Sequence, residues 1–123
     1  MQFAMESIDL NEKFDLFQDH WNPRIVASLN GQDVKLVKVF GQFVWHSHAA
    51  EDELFFIVKG RLTMEFRDRK VDVEEGQMIV VPRGVEHRPI ANEECWIMLF
   101  EPQQIDHTGG VDSPHRVEHC ERI

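Results

Sequence analysis

The chain has 123 residues, the size of one ordinary domain, which excludes a multidomain enzyme. Thirteen Lys and Arg stand against 22 Asp and Glu, a formal charge of −9, so nucleic acid and anionic membrane are not expected as partners because their phosphates would meet a like-charged surface. At 42% hydrophobic, with nine Phe and three Trp, the sequence has the apolar bulk for a core, and the absence of Tyr rules out a phenolic acid or base.

The N-terminal segment, residues 1–23, reads as one short amphipathic helix. Asp9 followed by Glu12 resembles a capping box, Leu10, Phe14 and Phe17 recur at i, i+4 and i+7, and Asn22-Pro23 would end the run. Met1–Leu10 has neither a basic start nor a continuous apolar stretch, so no signal peptide is visible and a cytoplasmic protein is expected. The apolar runs Leu54–Val58 and Trp96–Phe100 are five residues each, too short to span a bilayer.

Over residues 24–101 the period changes. RIVASLN, DVKLVKVF, ELFFIVKG, RLTMEF, KVDVEE, QMIVVP and CWIMLFEP are short Val-, Ile- and Phe-rich segments divided by turn residues, which predicts an all-β fold, a small jelly-roll β-barrel or related barrel. Asn30-Gly31 is the strongest hairpin signal, because a type I′ turn needs positive φ at both central positions. Phe55, Ile57, Met64, Phe66, Met78, Val80, Trp96 and Met98 alternate along these strands. Core packing is the ordinary reading of that stripe, and the lining of a small-molecule pocket is the other. The tail, residues 102–123, turns polar, and Ser113-Pro114 supplies the N-cap and first-turn proline of a last short helix. Cys95 and Cys120 have no framework spacing and read as free thiols.

The glycines fit neither GxGxxG nor the P-loop, and GxSxG and HExxH are missing too. Histidine carries what chemistry there is. His46 and His48 in Trp45-His46-Ser47-His48 share a strand face and can chelate one metal ion. Glu53 lies at an odd offset from His48. A short turn over Ala49–Asp52 lets it open the neighbouring strand and point back at the same spot as a third ligand. The strand from Gly76 runs into a Pro82-x-Gly84 turn, which His87 follows as the fourth. Glu51 follows His48 too closely and reads as solvent-facing or as a neighbour of the ligands.

These residues resemble the two motifs of the cupin superfamily, G-x5-H-x-H-x3/4-E-x6-G and G-x5-P-x-G-x2-H-x3-N. His46, His48, Glu53 and Gly60 stand at the spacing of the first, with four residues between Gly41 and His46 where the pattern has five. Gly76, Pro82, Gly84 and His87 match the second, with Asn92 one residue late. The order HSH, DELFFIVKG, VVPRGVEH, EEC is similar to that of small single-domain cupins labelled mannose-6-phosphate-isomerase-like. The resemblance implies a jelly-roll barrel and a divalent transition metal (Zn, Mn, Fe, Co or Ni) on His46, His48, Glu53 and His87. It also implies a small polar or sugar-like compound as substrate of an isomerase or dioxygenase, or as ligand of a non-catalytic metal-containing sugar-binding module.

No catalytic residue stands out beyond the ligands, and Glu51, Glu86 and His107 are the acid-base groups near the motifs. His107, His115 and His119 collect in the tail, where His115 and His119 at i, i+4 on a helix would form a second metal pair. Arg83, Glu86 and Arg88 flank His87 and are expected as exposed ion-pairing groups. The RIVASL strand offers an edge that pairing of two copies would cover, so a homodimer is expected.

Overall fold

A computed structural model describes residues 5–103, 105–117 and 119–123. Every one of the seven predicted strand segments is a strand: β1 (Arg24–Leu29), β2 (Gln32–Gln42), β3 (Glu53–Lys59), β4 (Arg61–Phe66), β5 (Lys70–Glu74), β6 (Met78–Val81) and β7 (His87–Pro102). Asn30 and Gly31 have φ of 53° and 75°, and the β1–β2 hairpin closes on Leu29 opposite Gln32. The Asn-Gly pair thus sets the register of the first hairpin.

The long strand β7 organises the jelly-roll barrel. Its first residues, 87–90, pair with β4, residues 96–100 pair with β3, and the opposite edge runs along β2 from Gln42 back to Gln32. The sequence signals only the second half of this strand, because Arg88, Pro89 and Glu93-Glu94 hide the alternation in the first. Inside, Val37, Val39, Ile57, Leu62, Met64 and Ile97 are among the buried core residues, all contributed by period-2 faces.

Trp96 and Met98 do not face this interior. They lie on the outer face of β7 and pack with Phe14, Phe17, Val26 and Leu36, while Cys95, Ile97 and Leu99 point inward. Met78 and Val80 are exposed. Of the alternating stripe, Phe55 alone reaches the pocket described below, and Ile57, Met64 and Phe66 are core. The WIMLF run is apolar on both faces, so its parity is set by what covers each face and not by pattern.

The outer cover is α1 (Leu10–Phe14), capped by Asp9, whose side chain accepts from the Glu12 N–H at 3.2 Å. It is shorter than the predicted helix because Trp21, at φ 62°, bonds β2 through its backbone N–H to the Lys38 carbonyl and its indole to the Phe40 carbonyl. These bonds draw the chain onto the sheet.

The tail forms turns where a short helix is expected. After the Ser113–Arg116 turn the chain ends in β8 (Glu121–Arg122), parallel to Arg24–Ile25, with Ile123 packed in the α1 cluster. Sheet pairing and apolar docking outweigh a single helical turn, which is costly to nucleate. Part of the β1 edge is thereby covered by the chain itself. Cys95 and Cys120 are both free.

Candidate metal centre

Backbone pairing brings the two histidine motifs together. His46 and His87 form an antiparallel bridge, each N–H donating to the other's carbonyl at 3.0 and 2.9 Å, and the Gly84 N–H donates to the His48 carbonyl at 2.8 Å. The Pro82-x-Gly84 turn is what reverses the chain into this bridge, with Gly84 at φ 77°. Glu53 opens β3 opposite Val81, the last residue of β6, so its carboxylate arrives from a third direction.

One ligand atom from each of His46, His48, Glu53 and His87 lies within 4.8 Å of the others, and all four side chains are buried. The Nδ1–H of His46 donates to the Val44 carbonyl and that of His87 to the Val85 carbonyl, each at 2.9 Å. Both bonds span two residues and fix the tautomer that leaves Nε2 with its lone pair toward the centre. His48 Nε2 and His87 Nε2 lie 2.9 and 3.4 Å from Glu53 Oε1. All three atoms are buried without a hydrogen-bond partner. Unpaired buried polar atoms are costly, and a cation among them is what three imidazoles and a carboxylate would satisfy. The cluster is therefore able to hold a metal ion. His46 is neutral, its pKa lowered to about 4 by burial and by the adjacent His87 ring.

Behind Glu53 lies a buried pair that the sequence reading missed. Lys35 Nζ sits 2.9 Å from Glu101 Oε1, at side-chain exposures of 2% and 0%. Burial pushes the Glu101 carboxyl well above the usual range, and its hydrogen bond with Glu53 pushes the same way. For Glu53 burial acts upward, but the adjoining Glu101, His48 and His87 side chains outweigh it and hold its carboxyl well below the usual range. Of the two carboxyls, Glu101 is thus the one held high and Glu53 the one held low. The available signal was parity: Glu101 continues the inward face of Ile97 and Leu99, and Lys35 that of Val37 and Val39.

The centre opens on a pocket with about 40 Å³ of free space, walled by Val37, Val39, Phe43, Phe55, Ile97 and Leu99, with His46 and Glu53 at one side and His107 also lining it. Glu51 is partly exposed in the turn before Glu53 and is not among the converging donors. Glu86 is exposed and pairs with Arg67, not with its flanking arginines. Arg83 pairs with Asp52 at 3.2 Å and Arg88 with Glu65. His115 stacks on Phe43 at 5.6 Å, and because the tail is not helical, the i, i+4 geometry proposed for His115 and His119 does not arise. Among the described residues, the His46–His87 group is the one cluster of three or more metal-ligating side chains.

Residues 33–101 match the family model described as "Cupin domain". The structure is similar to that of a cupin-2 domain containing protein from Shewanella frigidimarina NCIMB 400, at 51% identity and a TM-score of 0.77, covering 78% of this chain and 94% of that one. It is also similar to protein NMB1881 from Neisseria meningitidis, at 33% identity and a TM-score of 0.73, over 80% of this chain and all of that one. Among curated proteins, YdbB of Bacillus subtilis (strain 168) is 31% identical over 64 residues, which span 51% of this chain and 57% of YdbB. No helix among the described residues is long and apolar enough to cross a membrane. With the family model covering more than half its length and both histidine motifs meeting in one barrel, the chain belongs to the cupin family.

Proposed function

We propose that this cupin holds one divalent transition ion on His46, His48, Glu53 and His87 and acts through it on a small molecule in the adjoining pocket, as an isomerase or dioxygenase. The observation that carries the reading is the set of buried, partnerless ligand atoms beside a pocket that the same residues line. An ion there would supply a Lewis acid or a redox centre. The donor set suits Zn, Mn, Fe, Co or Ni alike. The walls narrow the expected compound from a polar or sugar-like one to a molecule with an apolar body, since hydroxyls pressed against Val37, Val39 and Ile97 would lose their water without gaining partners.

A non-catalytic binding module is the second reading. It is favoured by the poverty of the pocket in ionisable groups, because among the described residues His107 is the one such residue lining it besides the ligands. Elemental analysis of protein refolded with each metal tests the shared part. About one ion per chain is expected, with loss in His48→Ala and His87→Ala and retention in Glu51→Ala. Retention in both histidine variants, or loss in the Glu51 variant, overturns the assignment. Product detection by mass spectrometry after incubation with small oxygenated compounds separates turnover from binding.

A further inference from the structure

We propose that His107, brought into the pocket by the C-terminal tail, is a specificity-determining residue that accepts a hydrogen bond at Nδ1 from the metal-bound small molecule. The ligand class that follows is a small molecule with an apolar body, two oxygens for the ion and an N–H or O–H donor facing away from it. This rests on the metal-site reading above.

Three observations carry it. Among the described residues the pocket offers no other free polar side chain: His46 and Glu53 belong to the metal set, and the Trp21 indole N–H is already bonded to the Phe40 carbonyl at 2.9 Å. The His107 ring has a defined tautomer. Its Nε2–H donates to the His115 carbonyl at 2.7 Å, which leaves Nδ1 as an acceptor with no hydrogen bond from the described residues. Burial lowers the pKa of this imidazole, against the opposing His115 carbonyl and the Asp106 charge, which keeps the acceptor free at neutral pH.

The third observation is that the tail is built to hold this ring in place. Asp106 accepts from the Thr108 N–H and hydroxyl at 3.0 and 2.8 Å and pairs with Arg116 at 3.1 Å, and Thr108 is fully buried. Gly109 lies so close to the segment between His46 and His48 that a Cβ there would come within 2.2 Å of the Ser47 carbonyl oxygen, at a φ of 62°. The ring itself packs on Phe43, 5.6 Å between centroids, and Phe43 packs edge-on to His46. The free space of about 40 Å³ equals roughly two or three waters, so the ligand is small.

Acetohydroxamate is a probe of this shape: a methyl group, two chelating oxygens and an N–H. N-methylacetohydroxamate lacks the N–H. Both are titrated into cobalt-loaded protein and followed by the visible cobalt absorption, with cobalt per chain measured in parallel. His107→Leu is expected to weaken acetohydroxamate about three- to tenfold, the worth of one buried hydrogen bond, and the methylated probe less than twofold. His107→Asn, which keeps an acceptor oxygen, is expected to restore the discrimination. Gly109→Ala, which lifts the tail without touching the ring, is expected to lose it. Equal changes for both probes, no change, or loss of cobalt from His107→Leu overturns the proposal. Wild-type protein that takes up no cobalt would instead overturn the metal-site reading itself.

Discussion

Burial and the neighbouring His87 ring hold the His46 imidazole near a pKa of about 4, against 6.5 for the free side chain. Between those values the unfolded chain binds a proton that the folded one refuses, so the stability of metal-free protein is full above pH 6.5 and falls as the pH drops towards 4. The loss is on the order of 3 kcal/mol. Urea midpoints at pH 7, 5.5 and 4 should fall in that order, and a midpoint flat across the range would contradict it. Removing Lys35 is harsher. Lys35→Ala leaves Glu101 fully buried without its cation, and a cost of about 3–5 kcal/mol is expected in equilibrium unfolding. The Lys35→Met, Glu101→Leu double change should restore much of it, since apolar replacements of similar volume are often neutral.

At the level of elements, α1 depends on its apolar face. Phe14 is fully buried and stacks on Trp96 with centroids 4.8 Å apart. Phe14→Ala is expected to cost about 3–4 kcal/mol, read as a lowered denaturation midpoint, whereas Asp9→Ala, losing one cap bond, should cost about 1 kcal/mol. The comparison separates packing from capping, and equal effects would mean that the helix contributes little through its core face. The elements themselves were legible where local chemistry is strong. Asn30-Gly31 announced its hairpin, and Pro82-x-Gly84 announced the turn into His87. The start of β7 and the end of the tail were not legible, because both are stabilised by partners far along the chain: β4 and β2 for residues 87–91, and β1 for Glu121–Arg122.

For the whole molecule, the consequence of this topology is that one strand, β7, joins all the parts of the site. It begins at His87, presents Ile97 and Leu99 to the pocket, and carries Glu101 behind Glu53 just before its end at Pro102. The tail that follows folds back so that His107 lines the same pocket. Such long-range closure concentrates function in few residues while spreading its support over the entire barrel.

The sequence by itself determined the strand segments, the first hairpin and the four metal-ligating candidates, because each is written in local periodicity, turn chemistry or fixed spacing. The inward turn of Lys35 and Glu101, the outward turn of Trp96 and Met98, and the return of His107 to the pocket were decided by tertiary structure. Each depends on which face of a strand, or which stretch of tail, another part of the chain comes to cover, and a doubly apolar strand or a polar tail carries no local record of that choice.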